Sequence, residues 1–445
     1  MKMGARQNGN SSLLINAQCL NNKATATRVR YSILAAVFVN VVINYMDRSN
    51  ISVAGSLISK ELNLDTIKMG YIFSAFSWTY ASLQIPGGVL ADKFGIRTLF
   101  SISLIMWSLA TFVQGLAGSF FSLLALRVLI GAFEAPSYPM NNRIVTSWFP
   151  DNERASAIAT YTSGQFIGLA FLSPVLNFIQ VWAGWRGLFF VTGIVGIIWG
   201  IIWYFFYRSP LEHKKINQQE LEHIESGGGI LIRKNEVDNK FDWHDLQLVL
   251  SKRKLWGIYL GQFCLGGTLL FFLTWFPKYL VDFKKMDFIK SGVYASVPFL
   301  CAFAGVLFSG FLSDYLVRKN VSVGIARKTP IIAGLLLSVS IIGANYVSSP
   351  EWIIFFMSLA FFGNGLASIT WVFVSLLSPK NLIGLTGGTF NFVGGLAGIL
   401  VPVIIGYLVK GGDFSMALVF IGILAFSGAM SYIFLVGKVE RITIE

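Results

Sequence analysis

Four charged residues stand where charge is costly. Asp47 and Arg48 lie in NYMDRSN, inside an apolar run from Tyr31 to Ser59, and Arg127 and Glu134 lie in LLALRVLIGAFEAP. Two acids and two arginines in an apolar setting support two kinds of chemistry. A guanidinium fork grips a carboxylate through parallel hydrogen bonds. A buried carboxyl takes up a proton when its counter-charge leaves. Asp47 and Arg48 do not read as the edge of a membrane helix, because residues 31–46 number only sixteen, about 24 Å of helix, which is short for a span. Apolar sequence resumes at Ile51. Asn40, Asn44, Asp47 and Arg48 fall at offsets 0, 4, 7 and 8 and form one polar stripe. Arg127 and Glu134 are seven apart, and Asn141 continues their face. Asp47 lies sixteen residues from Tyr31 and Arg127 sixteen from Arg143. This depth count predicts an Asp47–Arg127 pair, with Arg48 and Glu134 completing a four-charge cluster.

The elements that must hold this cluster are helices. The chain has 445 residues, 54% of them hydrophobic and only 13% charged, where a soluble domain is about 25% charged. Apolar runs of about 20 residues recur and are long enough to cross a bilayer, while the alternation of a membrane barrel is missing. Twelve spans are predicted, over 31–58, 68–91, 97–117, 120–143, 155–178 and 185–207, then 256–277, 291–314, 328–346, 351–376, 384–409 and 414–437. The reading is an all-α membrane protein of two six-helix bundles, 31–207 and 256–437. A tail (1–30) precedes them, a polar linker (208–255) joins them and a tail (438–445) follows. The net charge of +13 is a loop bias rather than a nucleic-acid surface. Arg28, Arg30, Lys93, Arg97, Arg143, Arg154, the basic linker and Arg318 to Lys328 all fall on one side, which makes that side, with both termini, cytoplasmic.

The halves echo each other. GVLADKFGIR, with Gly88 and Asp92, is answered by GFLSDYLVRK, with Gly310 and Asp314, each pair 222 residues apart; GQFIGLA at Gln165 is answered by FNFVGGLA at Asn391, 226 residues on. A parallel duplication of this kind is the expected build of a transporter that binds substrate near the midplane between its halves. The second half carries no charged side chain in the interior of its first, fourth, fifth or sixth span. Its polar candidates are Gln262, Ser368, Thr370, Trp371 and Asn391. The asymmetry suggests proton coupling and anion attraction in the first half and hydroxyl recognition in the second; helix–helix contacts are an equal alternative for Ser368 and Thr370. Gly387, Gly388, Gly394, Gly395 and Gly398 read as close-packing positions.

Cys19, Cys264 and Cys301 form no metal or disulfide pattern, and His213, His223 and His244 share one polar loop and read as solvated. No metal, cofactor or enzymatic centre is expected, and a membrane enzyme or a channel is the distant alternative.

GGVLADKFGIR resembles the loop signature of the major facilitator superfamily, and the whole chain resembles its anion:cation symporter family. NYMDRSN, GYIFSAFSW, LQIPGG, GAFEAPSYPMNNRIVTSWFP, ERASA, YTSGQFIGLAFLSP, FFGNGLASITW and GLTGGTFNFVGGLAG carry the likeness in order along essentially the full length. The resemblance implies a proton-coupled sugar-acid symporter of a bacterial cytoplasmic membrane, working by alternating access as a monomer. D-galactonate or a related hexonate is the first substrate choice, with hexuronate or hexarate transport, or anion exchange, as the alternative. It implies that Asp47 and Glu134 are the protonation sites, that Arg48 binds the substrate carboxylate and that Arg127 partners an acid. Tyr45, Tyr80, Gln165, Ser368, Thr370, Trp371 and Asn391 would surround the sugar acid. Asp92, Lys93 and Arg97, too shallow for substrate, would latch the outward-open state at the cytoplasmic end.

Overall fold

The computed structural model describes residues 26–229, 243–379 and 382–442. The side chains of residues 84–93, 151, 152, 154, 155, 244, 288, 314, 317, 318, 323, 375, 383 and 384 are outside that description. Twelve long helices dominate. In the first half they are α1 (Val29–Glu61), α2 (Thr66–Phe94), α3 (Ile96–Gln114) and α4 (Phe120–Glu134, continued by Ser137–Trp148), then α5 and α6 within Asp151–Phe206. In the second half they are α7 (Arg253–Thr274), α8 (Phe288–Arg318), α9 (Val323–Ser338), α10 (Pro350–Leu366), α11 (Ile383–Leu408) and α12 (Ser415–Met430). Among the described residues ten stretches are long and apolar enough to cross a membrane, and one of them, Ser156–Phe206, holds both α5 and α6. Gly184 separates that pair with φ 70° and ψ 176°, a left-handed conformation in which a side chain would be strained.

Two local breaks matter for the site. Pro136 has no N–H to continue the ladder of α4, so the helix is interrupted directly after Glu134. After α10 the chain tightens into a 3₁₀ turn at Ala367–Thr370 before resuming as Trp371–Leu377, which turns Ser368 and Thr370 off the regular helical track.

Within the first half α1 packs on the α5–α6 pair, α3 on the same pair, and α2 on α4. Within the second half α8 packs on α10, α7 on α11 and α12, and α9 on α10. The halves meet through α2 against α11 and through α8 against the α5–α6 pair. At the face opposite the termini this seam is tight. A Cβ on Gly70 would lie 2.7 Å from the Pro402 carbonyl, and one on Gly406 would lie 2.7 Å from the Thr66 carbonyl, so only hydrogen fits on either side. Thr66 Oγ1 donates to the Gly406 carbonyl at 3.0 Å, Trp275 Nε1 donates to the Pro402 carbonyl at 3.1 Å, and the Phe73 and Trp275 rings meet edge-on. On the same face Lys278 is buried against Asp282.

At the terminus face the linker is not a free tether. Its helix Gln218–Ser226 is capped by Asn217 Oδ1 and docks on the first half. Glu220, fully buried, accepts hydrogen bonds from the backbone N–H groups of Val29 (3.1 Å) and Arg30 (3.2 Å), from Thr27 Oγ1 (2.6 Å) and from Arg30 Nη1 (3.1 Å). One carboxylate thus caps the start of α1, where helix N–H groups lack partners and the dipole favours negative charge. Arg30 also pairs with Glu153, which contacts His223 at 3.1 Å. The expectation of solvated linker histidines holds for His223, which is exposed, and is modified for His213, which is part-buried. His223 joins this ion network and His213 packs edge-on against buried Trp148. The His244 side chain lies outside the described residues.

Candidate functional site

Arg48 is the centre of the first-half site. Its Nε donates to Glu134 Oε1 at 2.7 Å and its Nη2 lies 2.5 Å from the same oxygen. Only the Nε contact is a hydrogen bond; Nη2 pairs by charge and has no hydrogen-bond acceptor, and Glu134 Oε2 is likewise buried without a partner. Three aromatic faces surround the guanidinium carbon: Tyr80 at 4.5 Å, Phe76 at 4.9 Å and Tyr45 at 5.0 Å. Such faces favour a cation and exclude water from it. The cage is fastened by Tyr45, whose hydroxyl donates to Gln165 Oε1 at 2.7 Å.

The approach of α4 to α2 depends on Gly131, which lies between Arg127 and Glu134 on the same face. A Cβ there would stand 2.1 Å from the Phe76 carbonyl oxygen. That closeness puts Arg127 against the other side of the cage, 5.1 Å from the Phe76 ring centre. Arg127 is 2% exposed, and its Nε and Nη1 have no hydrogen-bond acceptor.

The expected Asp47–Arg127 pair is not what the geometry shows. Asp47 turns toward α3, where Trp107 Nε1 donates to its Oδ2 at 3.0 Å, while Asn50 Nδ2 reaches its Oδ1 at 3.4 Å. The cause is azimuth. Neighbouring residues on a helix differ by about 100° in direction, so Asp47 and Arg48 face different partners, and Arg48 is the one aimed at α4. The four charges do form one cluster, in which both Glu134 and Arg127 act electrostatically on Asp47 and Glu134 pairs with Arg48.

The second-half residues assemble around Gln262 of α7. Thr370 Oγ1 donates to Gln262 Oε1 at 3.0 Å. A Cβ on Gly394 would meet Gln262 Cγ at 2.7 Å, and one on Gly395 would meet Ala81 at 3.2 Å. Contacts therefore run from Tyr80 and Ala81 through α11 to Gln262 and Thr370, joining the arginine cage to the second half. Ser368 is half-buried, Asn391 is exposed, and Trp371 is 49% exposed with its ring edge-on to Phe390 at 5.0 Å. An exposed indole beside amide and hydroxyl groups suits a polyol, which offers both C–H faces and hydroxyls. Of the expected close-packing glycines, Gly387, Gly394, Gly395 and Gly398 have side chains close by, whereas Gly388 faces open space.

The Asp92 and Lys93 side chains of the expected latch lie outside the described residues. Arg97 does not stand over the site. Its Nε donates to the Tyr204 carbonyl at 2.7 Å and its guanidinium carbon lies 4.2 Å from the Tyr204 ring centre, tying the start of α3 to the end of α6. Sequence reasoning passed over Phe76, Trp107, Asn50 and Thr192. Asn50 was within reach, one turn beyond Asp47. The others resemble ordinary core residues in apolar spans, and nothing in their spacing distinguishes them.

With this geometry in hand, comparison with known proteins gives consistent neighbours. The sequence profile of the Major Facilitator Superfamily matches residues 37–402. A D-galactonate transporter from Escherichia coli is 52% identical over 425 residues, covering 95% of this chain and 99% of that protein. A probable galactarate/D-glucarate transporter from Bacillus subtilis is 42% identical over 429 residues, covering 94% of each. Among solved structures, a bacterial homologue of the human lysosomal transporter Spinster superposes with TM-score 0.72 at 19% identity, over 93% of this chain and 98% of that one. A D-xylose-proton symporter gives TM-score 0.71 at 15% identity, over 92% and 98%. The structural neighbours share the fold, two bundles of six helices.

Proposed function

Because this chain belongs to the Major Facilitator Superfamily and is a multi-pass membrane transporter, we propose that it imports a sugar acid, D-galactonate or a related hexonate, together with protons by alternating access. The observation that carries this reading is Arg48, a guanidinium in an aromatic cage held by one oxygen of one acid. A substrate carboxylate matches the guanidinium fork better than a single oxygen does. When it takes Arg48, Glu134 loses its counter-charge inside a dry site and accepts a proton, for which Oε2 is free. Substrate and proton then favour each other's binding, and the loaded site crosses with less uncompensated charge. Asp47 is the second proton site, and Arg127 the cation that balances whichever acid remains ionised. Tyr45, Tyr80 and Gln165 on one side, and Ser368, Thr370, Trp371, Asn391 and Gln262 on the other, hold the polyol. Asp92, Lys93 and Arg97 serve the latch at the cytoplasmic end.

The terminus face carries the Lys- and Arg-rich loops and is cytoplasmic in a bacterial inner membrane. The protein works as a monomer, with protons as the coupling ion and no cofactor. Glu134→Gln is expected to abolish accumulation driven by a proton gradient in proteoliposomes while counterflow of labelled substrate persists. Undiminished gradient-driven uptake by that variant would overturn the coupling role. A dicarboxylate, a hexarate, is the second reading, favoured by the 42% identity to a probable galactarate/D-glucarate transporter. Arg127, with two unpartnered donors, is the cation to which a second carboxylate would turn. Competition of galactonate against galactarate for uptake separates the two.

A further inference from the structure

Asp47 is held by neutral groups. Among the described residues no arginine or lysine nitrogen lies within ion-pair distance of it. Its two hydrogen bonds come from Trp107 Nε1 (3.0 Å, to Oδ2) and Asn50 Nδ2 (3.4 Å, to Oδ1). The charged groups that act on it from further off are Glu134 and Arg127 of α4. α3 offers it Trp107 and α6 offers Thr192 by way of Asn50, neither of which titrates. Asp47, Trp107, Asn50 and Thr192 are all at most 1% exposed. The chain of bonds continues across the helices. Asn50 Nδ2 donates to Thr192 Oγ1 at 2.8 Å, and that hydroxyl donates to the Leu188 carbonyl at 2.9 Å. Asn50 Oδ1, an acceptor, is buried without a partner.

These bonds fit one protonation state only. An indole N–H donates and cannot accept, so Oδ2 must remain an acceptor whether Asp47 is ionised or neutral. A proton arriving at Asp47 is confined to Oδ1, where it meets a second donor, Asn50 Nδ2. That clash is relieved by a half-turn of the amide, which presents the unpartnered Oδ1 of Asn50 to the new O–H. The Thr192 hydroxyl can no longer accept from Nδ2, so it swings from the Leu188 carbonyl and donates to Asn50 Oδ1 instead. In each arrangement one amide atom of Asn50 serves both Asp47 and Thr192, Nδ2 as donor before the proton and Oδ1 as acceptor after it, while the other amide atom takes the unpartnered place.

We propose that Trp107 and Asn50 are positioning residues for proton coupling: Trp107 directs the proton to Oδ1 of Asp47, and the Asn50 amide turns over to report its arrival to α6 through Thr192. The proposal rests on the reading of Asp47 as a proton site. It gives that site a mechanical output, since loading one proton on α1 exchanges the hydrogen bonds that tie α1 to α6.

The test uses the full chain in proteoliposomes with labelled D-galactonate as the probe and an internal pH dye, together with infrared difference spectra on a pH step. Trp107→Phe removes the donor that favours the ionised carboxylate. The pH of half-maximal gradient-driven uptake should rise by about one unit, the worth of one hydrogen bond to a charged group. Infrared spectra should show a carboxylic-acid band rising together with a side-chain amide band; Asp47→Asn should lose the amide band and the Asp47 part of the acid band, leaving that of Glu134. In Asn50→Leu the acid band should move to higher frequency, because its acceptor is gone. Thr192→Val should weaken the amide signal, and Thr192→Ser, which keeps the hydroxyl, should restore it. If Asp47→Asn abolishes driven uptake while Trp107→Phe leaves the midpoint in place and the amide band stays silent, this inference is overturned and the proton-site reading stands. Undiminished driven uptake in Asp47→Asn overturns that reading itself. Should Trp107→Phe fail to fold, the infrared series on Asn50 and Thr192 decides alone.

Discussion

The two halves share a helix plan but differ in the chemistry of their interior side chains. In the first half, four charged side chains form one buried cluster, and their pairing is incomplete: Glu134 uses one oxygen, Arg48 leaves Nη2 and Arg127 leaves Nε and Nη1 without an acceptor, and Asp47 relies on neutral donors. In the second half, Gln262, Thr370, Ser368, Trp371 and Asn391 offer neutral groups, several of them open to solvent. Buried, incompletely paired charges are expensive, so their retention on one side argues that they change partners during the working cycle. Neutral hydrogen-bonding groups cost little to expose and little to cover, which suits a surface that grips and releases hydroxyls.

That contrast can be broken at several points. The largest effect is expected at Arg48. Arg48→Lys keeps the charge but loses the fork and the fit to the aromatic cage, so substrate affinity should fall by about a hundredfold, roughly 3 kcal/mol, as measured by uptake kinetics or calorimetry. A variant that still bound tightly would show that the first half does not hold the carboxylate. Next comes Glu220→Ala. It removes the cap of α1 and leaves Arg30 with one acid instead of two, so the melting temperature should fall by several degrees, a loss of about 2–3 kcal/mol. Hydrogen exchange should rise in α1 and stay unchanged in α7, because among the described residues the hydrogen bonds and ion pairs of the linker helix to the bundles go to the first half.

Thr370→Val comes third. Losing one neutral hydrogen bond across to Gln262 should weaken affinity about fivefold, roughly 1 kcal/mol, with no change in the pH dependence of uptake. A shift in that pH dependence would erase the division of labour. The smallest effect concerns Glu153. Burial opposes its ionisation, but hydrogen bonds from His223 and Arg30, with their charges, hold it below the usual carboxylate range. An acid held down in this way adds stability at pH values above its unfolded pKa, and that contribution is lost as pH falls through the lower folded value. Exchange in the linker helix should therefore quicken on acidification below about pH 4, and Glu153→Gln should flatten that response.

The helices were plain in the sequence because hydropathy registers length, and the breaks at Pro136 and Gly184 come from residues that local chemistry singles out. The four-charge cluster was also legible, since counting residues from helix ends gives the depth of Asp47 and Arg127, and Arg48 and Glu134 are tied to them by sequence. Pairing within the cluster was not. Depth says nothing of azimuth, and the 100° between Asp47 and Arg48 decides which of them meets Glu134. Trp107 was invisible for another reason: a tryptophan in an apolar span looks like core until something shows where its N–H points. Glu220 was hidden by its neighbours, a run so polar that burial of any member was unexpected.

The capping of α1 by Glu220 joins donors and acceptor 191 residues apart. On the ribosome, α1 therefore enters the bilayer with its first N–H groups open and stays so until the other five helices of its bundle have followed. At about 5–20 residues per second that interval is on the order of ten seconds or more. The linker helix is thus the last piece the first half receives, and its arrival marks that half as complete before the second has begun to emerge.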